Sequence, residues 1–81
     1  LKENVETIKG LEVIEKLRGV RFDWIESKQS EIGFIAQEVE AVFPELVVTD
    51  PESGLKAVKY SDLVSPLIEA VKDVANMSRA T

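Results

Sequence analysis

The apolar positions change period several times along the 81 residues, and each change marks an element. Leu11, Ile14 and Leu17 recur at helical spacing, with Val13 on the flank and charges opposite. That predicts a short amphipathic helix within residues 10–19. Gly19 is its expected C′ residue, and Lys16 and Arg18 suit the negative end of the helix dipole. From Val20 to Ile25 apolar and polar residues alternate until the last position, which is the strand period. Val20, Phe22 and Trp24 are expected on one face. Glu26 to Ser30 is a polar connection, and Glu31 to Ile35 is the partner strand of a hairpin. Gly33 inside it marks a bulge or a close backbone approach. Ala36 to Phe43 reads as a two-turn helix with Ile35, Val39, Val42 and Phe43 on one face, stopped by Pro44. Leu46 to Thr49 and Leu55 to Tyr60 are the strands of a second hairpin. Asp50-Pro51-Glu52-Ser53-Gly54 between them is a turn cluster.

Residues 61–81 form the longest predicted helix. Ser61 or Ser65 is the expected cap, and Pro66 fits the first helical position if Ser65 is chosen. If Ser61 is the cap, Pro66 lies deeper and should kink the helix locally. Val64, Leu67, Val71 and Val74 follow a 3-4-3 spacing, the a/d pattern of a heptad, and Ile68 widens the stripe. The next positions are Ser78 and Thr81, so the stripe fades. On pattern alone, such a stripe is more often the core face of a monomer; the sharper reading is a self-associating helix. Residues 1–9 are polar apart from Leu1, Val5 and Ile8, and read as an extended lead-in. The expected fold is α+β: one small domain, residues 1–81, with two short β-hairpins, two short helices and a longer C-terminal helix.

Composition narrows the chemistry. Fifteen acidic and ten basic residues leave a net charge of −5, so a diffuse nucleic-acid footprint is not expected. Cysteine and histidine are absent. That excludes disulfides, a Cys/His zinc site, a cysteine nucleophile and a histidine base. No metal or other cofactor is expected. No apolar run approaches the ~20 residues that span a bilayer, so no membrane partner is expected either. The chain starts at Leu1 rather than Met, which suggests a piece of a longer protein. Ordering each residue costs about 1.5 kcal/mol, so burial and entropy nearly cancel in a chain this short. With no metal or disulfide, oligomerisation is the remaining staple.

Single residues say less. Glu38 and Glu40 are two apart on a helix and do not face each other. Glu12 and Glu15 fall on the exposed side of theirs, and solvated carboxylates are the ordinary reading. Lys2 reads as an exposed lysine. It could serve as a base only if burial lowered its pKa. Phe22 and Trp24 beside Arg21 suit a hairpin core better than a base-stacking platform. The four glycines are too scattered for a phosphate loop.

Several segments in order carry a resemblance. They are Leu1-Lys2-Glu3-Asn4-Val5, Leu17-Arg18-Gly19-Val20-Arg21-Phe22-Asp23-Trp24 and Ile32-Gly33-Phe34-Ile35-Ala36-Gln37-Glu38-Val39-Glu40. Val42-Phe43-Pro44-Glu45-Leu46-Val47 and Lys59-Tyr60-Ser61-Asp62-Leu63-Val64-Ser65-Pro66-Leu67-Ile68-Glu69-Ala70 follow. Together they resemble the intramolecular chaperone auto-processing domain. That family occurs at the C-terminus of phage tail spikes and tail fibres such as endosialidases, and in myelin regulatory factor proteins.

The resemblance implies a homotrimer that assists folding and assembly of an upstream β-rich protein. It also implies release by a serine–lysine self-cleavage. The family's opening motif has the form Ser-Asp-x-x-Leu-Lys-x-Asn, and Leu1, Lys2 and Asn4 match its second half. Lys2 would be the general base, with the nucleophilic serine before Leu1, so the sequence shown should be inactive by itself. Asn4, Gly33, Phe34, Gln37, Glu38 and Pro44 are the family-motif positions. Glu38 is expected to buttress the region near Lys2 or a subunit contact. Val64, Leu67, Val71 and Val74 become the expected trimer seam. The place of action, for a phage-encoded parent, would be the host cytoplasm during virion assembly. The alternative from another class is an oligomerisation or interaction module with no chaperone role.

Overall fold

The computed structural model describes residues 1–79. Residues 1–9 carry no helix or strand. Then follow helix α1 (Gly10–Lys16), strands β1 (Val20–Asp23) and β2 (Ser30–Gly33), and helix α2 (Ala36–Val42). A 3-10 turn at Pro44–Leu46 leads into β3 (Val47–Thr49), β4 (Lys56–Val58) and helix α3 (Tyr60–Arg79). The two strand pairs are separate two-stranded antiparallel sheets. Val20 faces Gly33 and Asp23 faces Ser30 in the first; Val47 faces Val58 and Thr49 faces Lys56 in the second. The α+β class and both hairpins are as expected. The position of Thr81 in the heptad lies outside the described residues.

Several local expectations need correction. Helix α1 ends at Lys16, and Leu17 leaves it in an extended conformation, so Gly19 is not its C′ residue. Gly33 is paired in register with Val20, with no extra residue to make a bulge. Trp24 lies just past β1 and is 53% exposed, yet its ring packs edge-on against Phe22, centroids 5.1 Å apart at 86°, so the expected face is shared but open to solvent. Leu46 is not a strand residue: it closes the 3-10 turn that Pro44 begins, and it is buried. Neither serine caps α3. Its first turn closes on the Lys59 carbonyl, which accepts from the Asp62 and Leu63 N–H groups. Pro66 therefore sits inside the helix, where its ring is fully buried.

The second hairpin turns as its composition demands. The Asp50 carboxylate accepts from the Glu52 N–H at 2.9 Å, and the Asp50 carbonyl accepts from the Gly54 N–H at 2.8 Å. Gly54 closes the turn at φ +76°, a region open to glycine at no steric cost.

Burial is concentrated at two points. Val39 of α2 and Leu46 of the 3-10 turn are buried where α2 meets the second hairpin. Gly10, Pro66 and Ala70 are buried where α1 crosses α3. A Cβ on Gly10 would stand 2.1 Å from the Pro66 carbonyl oxygen and 2.7 Å from the Ala70 nitrogen. Only a glycine lets the two backbones approach so closely.

The rest of the molecule is open. Its radius of gyration is 15.5 Å, against about 12 Å for a self-contained domain of this length. Its accessible surface is 6835 Å², against about 4,900 Å² for a monomer of 9.0 kDa. The excess is about 1,900 Å², more than twice the ~800 Å² that each partner contributes to a standard protein–protein interface.

Gly10→Ala tests the crossing. Gly10 is the first residue of α1, so alanine would gain less than the ~1 kcal/mol that it gains over glycine in a helix interior. The clash with two backbone atoms that cannot rotate away outweighs it, and a net loss of about 2–3 kcal/mol is expected. Urea unfolding followed by circular dichroism measures this. A variant as stable as the parent would show that α1 and α3 are not so closely packed.

Candidate functional site

The family-motif positions fall into three groups. The first is the lead-in. Lys2 and Asn4 are both exposed, and the chain bends at Asn4 with φ +55°. Asparagine is among the residues that tolerate this left-handed conformation best. Further along, Glu6, Thr7 and Ile8 face Ser61, Ser65 and Ile68 of α3 across a shallow cleft. The lead-in thus runs beside the N-terminal half of the long helix.

The second group surrounds the start of α2. The Tyr60 hydroxyl occupies the space that a side chain at Gly33 would need, 2.6 Å from the position of a Cβ. The same hydroxyl accepts a hydrogen bond from the Phe34 N–H at 3.2 Å. The Phe34 and Tyr60 rings lie 5.9 Å apart at 33°. Gly33 and Phe34 therefore fasten the first hairpin to the start of α3. The close approach allowed for at Gly33 is real, and its partner is 27 positions away in the chain. Gln37 is exposed on the first turn of α2, and exposed Pro44 opens the 3-10 turn.

Glu38 has a partner that the sequence did not reveal. Its carboxylate accepts from Arg18 Nε at 3.1 Å and from an Arg18 terminal nitrogen at 2.6 Å, a bidentate pair. The pair joins the α1–β1 connection to α2, so within the single chain Glu38 is engaged with Arg18. The hydrogen bonds from Arg18 hold the Glu38 carboxyl below its usual range, partly opposed by desolvation and helped by the guanidinium charge. The Arg18 guanidinium is raised in turn, by the hydrogen bond and charge of Glu38. Arg18 and Tyr60 are the residues that motif reasoning missed as partners. A glycine in a strand asks what approaches it, but nothing local names Tyr60.

The third group is the α3 stripe. Val64, Leu67, Val71 and Val74 are between 45% and 60% exposed, and Ile68 is 52% exposed. The face that α3 turns toward its own chain is a neighbouring one, carrying Pro66 and Ala70. The reading of the heptad stripe as a monomer core is therefore wrong for the single chain. Among the described residues no cluster of acidic, histidine or cysteine side chains could hold a metal, and no helix is long and apolar enough to cross a membrane.

These features define a small α+β module with little core of its own and a helix that offers an apolar stripe to the outside. A family model described as chaperone of endosialidase matches residues 1–48. The chain belongs to that family, and its class is that of a chaperone domain. The match takes in the lead-in, both short helices, the first hairpin and the start of β3. A search of curated proteins finds no match.

Acid should probe the Arg18–Glu38 pair. The ordinary values are 4.5 for Glu38 and 3.8 for Asp50, and both are depressed in the fold, Asp50 chiefly by the Glu52 and Ser53 amides. The unfolded chain therefore takes up protons first. This stabilisation is complete above about pH 5 and is lost as pH falls through the lowered folded values. Chemical unfolding at a series of pH values should show a flat plateau, then a decline below about pH 4. Glu38→Gln should show a shallower decline. Identical acid slopes for parent and variant would remove the pair from the account.

Proposed function

We propose that this chain acts as an intramolecular chaperone that associates as a homotrimer through α3 and promotes assembly of a β-rich protein attached upstream. The observation that carries the proposal is the Val64, Leu67, Val71 and Val74 stripe, spaced as a seam and left exposed by the chain's own fold. The surplus surface supports the same reading, since it is more than the ~800 Å² that each partner of a standard interface buries. Valine and leucine at these positions do not set strand number; the count of three comes from the family resemblance. The upstream partner in this reading is an endosialidase-type tail spike or fibre, and the place of action is the host cytoplasm during virion assembly.

The physical logic is direct. Long trimeric β-structures fold slowly, because non-local pairing must first meet loop-closure entropy while strand edges stand open. A small module that trimerises early holds three chains in register and raises their effective concentration. Releasing it afterwards makes reversal slow, so the stability of the product becomes a rate.

Release would follow the family's serine–lysine chemistry. A serine upstream of Leu1 attacks the scissile carbonyl while the Lys2 amine takes the hydroxyl proton; the peptide C–N bond breaks, its amine leaves with that proton, and water then hydrolyses the serine ester. That amine must be partly deprotonated, hence desolvated. Lys2 is exposed in the single chain, so its burial would come from a neighbouring protomer or the upstream domain. Cleavage would then wait for assembly. The exposure of Lys2 equally favours the second reading, a non-catalytic oligomerisation or interaction module with no chaperone role.

Light scattering on a sizing column should give three times the chain mass of 9.0 kDa. Leu67→Glu or Val71→Glu should return the chain to a monomer and abolish the yield of assembled upstream protein. A parent that remains monomeric at high concentration would sink the seam. In a precursor extended upstream, Lys2→Ala should stop self-cleavage while leaving trimers intact. Cleavage at the parent rate would exclude Lys2 as the base and, if the precursor never cuts at all, the second reading stands.

A further inference from the structure

A second exposed apolar surface lies away from the α3 stripe. An open groove of about 1210 Å³ runs between the first hairpin, the connection from β2 to α2, and β4. Phe22, Trp24, Phe34, Val58 and Tyr60 are among its lining residues. Ile25, Ile32 and Leu55 on its walls are 85%, 71% and 74% exposed. Apolar residues scattered singly on a surface need no explanation, but a contiguous patch in a concave site does.

The backbone around the groove is also unfinished. Each hairpin is a two-stranded sheet, so every strand has one edge without a partner strand. Residues facing each other in an antiparallel pair alternate between exchanging and not exchanging hydrogen bonds. The Trp24 N–H donates to the Gln29 carbonyl, which sets the phase of the first hairpin. Phe22 and Glu31 then form an exchanging pair, and the N–H and C=O of Ile32 point away from β1. In the second hairpin the Asp50 N–H donates to the Leu55 carbonyl and the Lys59 N–H to the Leu46 carbonyl. By the same alternation Lys56 and Val58 turn their backbone groups away from β3. Ile32, Lys56 and Val58 all line the groove. Two strand edges thus border one apolar cleft.

The charge around it has one sign. Asp23, Glu26 and Glu31 line the groove. The lining cation, Lys56, is already engaged, its ammonium 3.0 Å from Glu40 Oε2 and 3.0 Å from Thr49 Oγ1. The Glu31 carboxylate accepts from the Trp24 indole N–H at 2.9 Å.

We propose that this groove captures an extended apolar peptide segment that carries lysine or arginine. Its backbone adds as a strand to a bordering edge, its apolar side chains cover Trp24, Ile32 and Leu55, and its cations meet Asp23, Glu26 and Glu31. Strand addition takes its affinity from main-chain bonds and its selectivity from alternate side chains. It therefore suits many sequences of one pattern. The surface is separate from the α3 stripe, and the proposal goes beyond the trimer reading. In a chaperone it would hold an unpaired, basic strand of a client.

Trp24 is the chain's one tryptophan and lies in the groove, so its fluorescence reports occupancy directly. The probe is a short blocked peptide of alternating valine and lysine, titrated into the full chain. A saturable change in Trp24 emission is expected, weakened by salt and accompanied by slower amide exchange at a bordering edge. A valine–glutamate peptide should bind at least about tenfold more weakly, because like charges then meet in the cleft. A valine–lysine peptide interrupted by proline should also bind weakly, since it cannot donate along the edge. Ile32→Asp and Glu26→Lys change exposed side chains, and each should weaken binding with the circular dichroism spectrum unchanged. Equal affinity for the glutamate or proline peptide would overturn the proposal. So would Trp24 emission that shifts with protein concentration alone, which would assign the groove to a second copy. Either result leaves the α3 seam to be judged on its own evidence.

Discussion

The crossing of α1 over α3 at Gly10 governs the arrangement. Two helix backbones meet with almost no side chain between them, and the contact buries Pro66 and Ala70. A small-residue crossing of this kind fixes both distance and rotation, because backbone atoms cannot move aside as side-chain tips do. The rotation matters most. It commits one face of α3 to the chain itself and leaves the adjacent face, with Val64, Leu67, Val71 and Val74, turned outward. Pro66 belongs to the same solution. A proline inside a helix removes an N–H and crowds the preceding turn. Here its ring is fully buried at the crossing, where its packing offsets part of that cost.

The remaining elements hang on this crossing through a few polar and aromatic links. The Tyr60 hydroxyl at Gly33 and Phe34 fastens the first hairpin to the start of α3. The Arg18–Glu38 pair fastens the α1–β1 connection to α2. Lys56 and Glu40 fasten the second hairpin to α2. Exposed ion pairs contribute little stability each, so these links orient elements more than they hold them. The outcome is an open frame with two uncovered apolar surfaces, the α3 stripe and the groove.

Local rules read most of the elements correctly. The Leu11, Ile14 and Leu17 spacing, the alternation from Val20, the Asp50 to Gly54 turn and the stop at Pro44 each reflect an interaction within a few residues. Errors came where a distant partner overrode them. Ser61 and Ser65 are good caps, yet α3 begins at Tyr60 because the Lys59 N–H is held by the Leu46 carbonyl, which places the next carbonyl to start the helix. Trp24 packs on Phe22 as the alternation predicts, but the groove beside it is left unfilled by the chain, so it stays half exposed. At the site, Gly33 signalled a close approach without naming Tyr60. Glu38 stood out without naming Arg18.

The sequence by itself determined the element types, the α+β class, the absence of histidine and cysteine chemistry, and the heptad stripe with its spacing. These depend on period, on local turn chemistry and on which side chains exist at all. Only the tertiary structure decided which stripe of α3 faces the chain and which faces out. Two adjacent faces of one helix carry apolar residues, and periodicity cannot rank them. The choice belongs to Gly10, 56 positions before Pro66, because a missing Cβ there is what allows α1 to close on one face and leave the other open.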